Sequence, residues 1–534
     1  MKKTLTFLLF SALMGSASAQ NGIYAYGDTV NTDYGYDLIR TGGNLTLAGK
    51  TASYPDFSDF LYSDALLMQV TLNGVINWAK KYQLNVPLVD NIEYDRSDIF
   101  WRVRPTTVGT VPGFITVGAS GDTTGLPSLG VLIANMNAAG DVQWSKIIDG
   151  AGFGNGGYDV VPVADGYVLA GSLLSAGAVQ GIDMLLAKFD LNGDIVFSKI
   201  IGAAGTQICR AMAQTADGGF LLVGTHTASG ASADMLIVKT NANGTVQWSR
   251  TLGGAGDDRA IAIMKNDNNY IITGNVTLNN AEDIIVLAIN DTGAIQWQRV
   301  IATAGTDIGN GLSMKGNNIL LAGSTNGGTG SSTDGALFEL SPTDGSIINA
   351  STTGKQFGEI FYATVYDGTN VFSIGNTGSL DLLGGNDVML TKHNATNLIA
   401  ATCVATLIFT STASSLTLNT FTATTNIGGS VRNYPLRVTN INMNTQYEDC
   451  YVATKSEQKI ALTVAPNPTN GAVQVQLPTR ATVSVHDTFG RLLAQINLAE
   501  GAQIIDLSSY AQGVYSLSFI FDNANIVTKK VVKF

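Results

Sequence analysis

Residues Gly253 to Trp297 read GGAGDDRAIAIMKNDNNYIITGNVTLNNAEDIIVLAINDTGAIQW. Three features of this stretch recur along the chain at a spacing of about 50 residues, and a fixed period of that size decides the fold before any one element is assigned. The first is an apolar strand ending in glycine: LTLAG at Gly49, FITVG at Gly118, YVLAG at Gly171, FLLVG at Gly224, YIITG at Gly274, ILLAG at Gly323 and VFSIG at Gly375. The second is an apolar strand usually opened by aspartate, from Asp64, Gly130, Asp183, Asp234, Asp283, Asp334 and Asp387. The third is a turn leading into a strand that carries an aromatic ring, at Trp78, Trp144, Phe197, Trp248 and Trp297, with Asn349 in a degenerate sixth copy and NATNLIAA lacking it in the seventh.

Between these markers lie Asp/Asn/Gly turns such as ADGY, ADGGF and NDNNY, whose residues supply the positive φ of tight hairpins. Each unit therefore reads as a four-stranded antiparallel sheet. Seven such sheets without intervening helices predict an all-β, seven-bladed β-propeller, because radial repetition protects strand edges that a long open sheet would expose. The expected propeller occupies residues 20–404, with blades from about residue 33, and each aromatic ring is expected to fill the wedge between neighbouring sheets.

The Asn-x-x-Gly-x-x-x-Trp spacing of NDTGAIQW is similar to the tryptophan-docking repeat of quinone-dependent dehydrogenase propellers, which have shorter repeats and eight blades. The whole unit more closely resembles bacterial propeller repeats of the form G-x-x-x-D…G-x-x-x-[STA]…D-x-[FL]-[VL]-x-K-x-x-x-x-G-x-x-x-W, a resemblance that implies fold and not activity.

From Leu462 the repeat gives way to LTVAPNPTNG, VSVHDTFGRLL, IIDLSSYAQGVYSLSF and a final VTKKVVKF. Alternating apolar residues and glycine turns predict a small Ig-like β-sandwich over 462–534. Pro466, Asn467, Pro468, Gly471, Asp487, Gly490, Arg491, Asp506, Leu507, Gly513, Val514, Tyr515 and the Lys529–Phe534 tail, with Lys530, resemble the type A C-terminal sorting domain of the type IX secretion system of Bacteroidota. That resemblance implies passage across the outer membrane with the type IX machinery as partner, and release or attachment at the cell surface. Between the two domains, 405–461 alternates apolar and Thr/Ser residues. It reads either as strands packed on the propeller followed by a linker, or as a small independent domain.

The first twenty residues agree with export. Lys2 and Lys3 precede an apolar run from Leu5 to Met14, and Ala17-Ser18-Ala19 is a small-x-small site, so 1–19 is expected to be a signal peptide cleaved after Ala19, giving a periplasmic route. No later apolar run is long enough to predict a membrane-spanning helix. A formal net charge of -11 gives no footing for phosphate contacts and argues against nucleic-acid partners.

The chemistry-bearing residues are sparse. Three histidines (His226, His393, His486) stand apart with no zinc-ligand spacing, and no nucleophile elbow or Walker loop is present. No catalytic residue and no cofactor are assigned. Of the three cysteines, Cys209 is expected to be a buried thiol, while Cys403 and Cys450 are candidates for one disulfide. An acidic or amide residue opens the expected innermost strand of each unit: Asp37, Asp98, Asp159, Gln207, Asp258, Asp307 and Glu359. Asp37, Asp159, Asp258, Asp307 and Glu359 are the candidates for holding a channel cation, against the alternative that each side chain caps its own turn. Tyr54, Phe57, Phe60 and Tyr62, interleaved with Asp56 and Asp59, form a candidate ligand-binding loop. The reading is a secreted or surface-attached binding or adhesion protein for a glycan or surface protein. The alternative is an extracellular hydrolase or lyase acting on polysaccharide.

Overall fold

The structure, a computed structural model, describes residues 22–27, 32–52, 63–84, 97–108, 111–122, 128–150, 155–174, 181–278, 281–327, 332–354, 358–378, 386–398, 410–413, 416, 418–420, 423–427, 431–433, 436–440, 443–448, 462, 464–477, 479–486, 492–521 and 526–534. Ala17, Ala19, Tyr54, Phe57, Phe60, Tyr62, Cys403, Cys450, Asp487 and Gly490 lie outside these residues. No described residue is helical. The chain divides into two compact units, Met1–Tyr451 and Val452–Phe534.

In the first unit, seven antiparallel sheets each begin with one innermost strand: Asp33–Thr41, Asp98–Val108, Gly156–Val163, Thr206–Gln214, Arg259–Asn266, Asp307–Lys315 and Glu359–Tyr366. Three further strands follow outward in each of the first six sheets in simple sequence order. All seven innermost strands contribute walls to a single cavity of about 350 Å³, so the blades surround one axis.

The seventh blade corrects the sequence reading. Its fourth strand is not NATNLIAA but Gly22–Gly27 from the other end of the chain, paired antiparallel with Asp387–Asn394 in the register Tyr24↔Leu390. Tyr24 takes over the missing aromatic's role. A Cβ added at Gly74, in the outer turn of the first blade, would lie 2.3 Å from the Tyr24 ring. The same seat recurs at Gly140 under Trp78, Gly193 under Trp144, Gly293 under Trp248 and Gly345 under Trp297. Each ring thus docks on the next blade's turn glycine, and the indole N–H groups of Trp144 and Trp297 donate to carbonyls of that neighbouring turn, Leu191 and Pro342.

The described strands after the seventh blade pair with the propeller sheets. Thr410–Ala413, Leu418–Thr420, Thr424–Ile427, Val431–Asn433, Leu436–Asn440 and Asn444–Glu448 add a fifth, outermost strand to the fifth, fourth, third, second, first and seventh blades in turn. The chain runs back around the propeller and supplies partners for backbone groups that a four-stranded blade would leave at its edge.

The glycine marker has a single cause in every blade. A Cβ at Gly49, Gly118, Gly171, Gly224, Gly274, Gly323 or Gly375 would lie 1.6 to 2.2 Å from a backbone carbonyl oxygen of the innermost strand. That close approach accompanies a β-bulge, where the pairing skips one residue: Tyr36, Trp101, Tyr158, Arg210, Ile261, Asn310 and Tyr362 in blade order.

The second unit is a sandwich of a three-stranded sheet (Val464–Ala465, Ala472–Leu477, Gly501–Asp506) and a four-stranded one (Leu492–Leu498, Ala481–His486, Gly513–Phe521, Ile526–Lys533). Strict alternation along Ala472–Leu477 sends Val473, Val475 and Leu477 inward against Val483, Val485, Leu517 and Phe519. Burial of each such side chain contributes about 1.5–3 kcal/mol.

Candidate functional site

The bulge converts a repeated backbone defect into a ring of varied side chains. At each innermost strand the extra residue is half-buried, and these residues meet across blade boundaries. The Trp101 and Tyr158 rings stack with centroids 4.6 Å apart. The Arg210 guanidinium lies 4.9 Å from the Tyr158 ring centroid. On the adjoining first and seventh blades Tyr36 meets Tyr362 edge-on at 5.5 Å and stacks with Tyr34 at 6.1 Å. Burial, with Tyr34 nearby, pushes the Tyr362 hydroxyl up to about 12. Four of the seven bulge positions are aromatic, giving apolar faces with polar rims.

The acidic ring is rearranged relative to the sequence expectation. Three residues before each bulge, the equivalent positions are Asp33, Asp98, Asn155, Gln207, Asp258, Asp307 and Glu359, all buried. Asp37 and Asp159 belong four residues further along, beyond the bulge, and Asp33 and Asn155 take the places assigned to them. The ring residues hold backbone and hydroxyl groups. Asp258 accepts from the Gly254 N–H at 2.5 Å and the Thr277 N–H at 2.8 Å. Asp307 accepts from the Thr303 N–H at 2.6 Å, and Gln207 from the Ala203 N–H at 3.0 Å. Asn155 accepts from the Leu174 N–H, Glu359 from the Thr377 hydroxyl and Asp98 from the Ser120 hydroxyl. Asp258, Asp307 and Gln207 thus each hold the turn four residues before them, while Asn155, Glu359 and Asp98 hold groups of the next strand, and among the described residues no group of three or more His, Cys, Asp or Glu side chains is placed to hold a metal ion.

These caps stand close to the aspartates of the second marker on the preceding blade. A Cβ at Gly253 would meet both Asp234 and Asp258. Burial raises the Asp258 and Asp307 carboxyls, and burial together with the Asp307 charge raises Asp283 to about 6.

One residue beyond the bulge, the seven strands carry Asp37, Arg102, Asp159, Ala211, Ala262, Gly311 and Ala363, and all seven line the cavity. The first three blades therefore give it a charged wall and the other four a small, largely apolar one. Arg104 bridges the carboxylates, with Nη1 2.8 Å from Asp37 and Nη2 3.1 Å from Asp159. Arg102 lies 3.5 Å from Asp37 and 3.6 Å from Asp159. Burial opposes the charge on Arg104, but the two carboxylates outweigh it and raise its pKa. Asp37 also accepts from the Val103 N–H at 3.0 Å, and Asp159 from the Met212 N–H at 3.0 Å, so each carboxylate ties its blade to the next innermost strand.

Cys209, His226 and His393 lie within blade strands. Cys209 is a fully buried free thiol whose pKa burial pushes upward. His226 faces Gln207 at 3.0 Å, and burial lowers its pKa. His393 is buried, lies 2.6 Å from the Thr391 hydroxyl and is held down at about 4 by burial.

In the second unit the motif residues close the sandwich. Asn467 donates to the Lys530 carbonyl at 2.7 Å and accepts from the Val532 N–H at 2.9 Å, which fixes the Pro466–Pro468 segment to the last strand. The Gly471 carbonyl accepts from the Leu507 N–H at 2.6 Å, and a Cβ at Gly471 would lie 2.5 Å from the Ser508 hydroxyl. Asp506 accepts from the Ser508 N–H at 2.8 Å. Tyr515, two residues after Gly513 opens its strand, donates to the Ala511 carbonyl at 2.6 Å. Residues 463–533 match the secretion system C-terminal sorting domain.

The sorting domain implies secretion or attachment at the outer surface and interaction with the type IX machinery. No described helix is long and apolar enough to cross a membrane. No curated protein matches the chain. Among solved structures, the β-propeller domain of the Trilobed protease from Pyrococcus furiosus is 9% identical, with 69% of this chain and 96% of that chain covered and a TM-score of 0.37. The exo-β-1,3-galactanase of Phanerochaete chrysosporium is 11% identical over 73% of this chain and 97% of that one, TM-score 0.28. Drosophila Plexin A, solved with Semaphorin 1b, is 9% identical over 70% and 87%, TM-score 0.33.

The bulge residues escaped the sequence reading because their types vary from blade to blade. The available signal was positional: each lies two residues after the residue whose carbonyl meets the marker glycine.

Proposed function

We propose that the chain is an exported binding protein whose propeller captures an extracellular glycan in the axial channel, and whose sorting domain carries it out after an N-terminal signal peptide directs it to the periplasm. The observation that carries this reading is the bulge ring. Stacked Trp101 and Tyr158, with Tyr36, Tyr34 and Tyr362 on the adjoining blades, offer half-buried aromatic faces, and Arg210 and Asn310 supply polar groups beside them. Flat apolar faces with a few fixed polar groups suit the alternating C–H and hydroxyl surfaces of a sugar. The carboxylates Asp258 and Asp307 are committed to backbone N–H groups, and Asp37 and Asp159 to arginines, which favours binding over the acid–base pair that glycoside cleavage requires.

The test is a glycan array followed by titration calorimetry on the full chain and Trp101→Ala. A sugar hit weakened at least tenfold in Trp101→Ala, with the thermal midpoint kept, supports the reading. Product release from a polysaccharide, lost in Asp258→Ala and Asp307→Ala, would replace it with the hydrolase or lyase alternative.

A further inference from the structure

The cavity of about 350 Å³ begins on the far side of the bulge ring, and none of the aromatic bulge residues lines it. Its charged wall is unequally satisfied. A guanidinium has five N–H donors. Arg104 directs Nη1 to Asp37 and the Val103 carbonyl, and Nη2 to Asp159, which leaves its Nε–H and one Nη2 hydrogen without a partner among the described residues. Arg102 directs Nε to the Tyr158 carbonyl at 3.3 Å, and its Nη1 stands 3.5 Å from Asp37, long for a hydrogen bond.

The carboxylates are by contrast more fully taken up, with only the second oxygen of Asp37 left to Arg102 at 3.5 Å. One oxygen of Asp37 accepts from both the Val103 N–H and Arg104. One oxygen of Asp159 accepts from the Val160 N–H and Arg104, and the other from the Met212 N–H. Arg40 adds a third positive charge to the lining. The wall therefore presents surplus N–H donors and one net positive charge in a chain whose formal net charge is -11. Across the cavity, the lining consists of the small residues Ala211, Ala262, Gly311 and Ala363 together with the apolar Ile263, Leu312 and Val365.

We propose that this cavity is a second ligand site, separate from the aromatic ring, that takes a small organic carboxylate. The carboxylate lies against Arg102 and Arg104 and the ligand's body lies against the alanine wall. Planar guanidinium donors match a carboxylate bidentately, and the volume fits a ligand of monosaccharide size. A free organic acid and the acidic end of a sugar polymer share this chemistry. The proposal does not depend on glycan capture by the bulge ring.

Calorimetric titration of the full chain with glucuronate, butyrate and their neutral counterparts glucose and butyramide tests it. At least one carboxylate is expected to bind ten times more tightly than its neutral counterpart, and the better of the two names the source. Arg104→Lys, which keeps the charge between Asp37 and Asp159, is expected to weaken that binding at least tenfold. Ala262→Leu, which fills the cavity without touching the ion pairs, is expected to abolish it with the thermal midpoint kept. Equal titration by carboxylates and neutral counterparts, or undiminished carboxylate binding in a folded Ala262→Leu chain, overturns the proposal. Should Ala262→Leu fail to fold, Arg104→Lys alone decides, and unchanged affinity in it overturns the proposal.

Discussion

The Tyr26 hydroxyl, in the N-terminal strand, donates to the Gly74 carbonyl at 2.9 Å, and Tyr82 makes the equivalent bond to Gly140 at 2.7 Å between the first and second blades. The joint that closes the ring is thus made like an ordinary joint between consecutive blades. Both rings are fully buried, and burial raises both hydroxyls far above the usual phenol range.

Tyr26→Ala should therefore destabilise the propeller by about 3–5 kcal/mol, the cost of emptying a buried aromatic site. Tyr26→Phe, which leaves only the Gly74 carbonyl without its donor, should cost about 1 kcal/mol. Chemical denaturation of the two variants checks the order.

Gly274→Ala places a Cβ 1.8 Å from the Arg259 carbonyl oxygen, so the bulge must shift or the strand must part. A loss of about 1–3 kcal/mol or more is expected, whereas alanine at the exposed Gly43, where nothing lies within 4 Å, should change stability far less. The same denaturation experiment measures both.

Asp283 is held at about 6 by burial and by the Asp307 charge, against about 4 in an unfolded chain. The folded chain binds the extra proton, so this contribution is full below pH 4 and is lost as pH rises from about 4 to 6. Asp283→Asn should be more stable than the parent at pH 7.5, with the gap closing by pH 4. Thermal midpoints of both chains across that range decide it, and a gap that widens on acidification would show the sign to be wrong.

The Cys209 thiol, buried and pushed up in pKa, should resist iodoacetamide at pH 8 in the folded chain and react after denaturation. Peptide mapping of the Cys209-containing fragment reads this separately from Cys403 and Cys450.

What the sequence made legible was whatever repeats. The marker glycines, the aspartates of the second marker and the ring at Trp78 or Trp297 recur because each blade needs the same bulge and the same seat on its neighbour. Closure was illegible because the partner of Asp387–Asn394 lies at Gly22–Gly27, far away in sequence and lacking the turn that introduces the other fourth strands. The fifth strands were only half legible, since three to five residues such as Leu418–Thr420 are too short to show a period. The acidic ring failed in register at two positions. Asp37 and Asp159 lie beyond bulges that shift the count, and Asp33 and Asn155 occupy the equivalent positions. Tyr36, Trp101, Tyr158 and Arg210 share a position but no residue type, so no pattern search collects them.

The central claim is that residues 463–533 are an address and the propeller is what they deliver. Protease shaving of intact cells making the chain with and without 463–533 measures this directly. The account predicts propeller peptides at the surface or in the medium only when the C-terminal unit is present. Equal release of propeller peptides from cells making the truncated chain would contradict it.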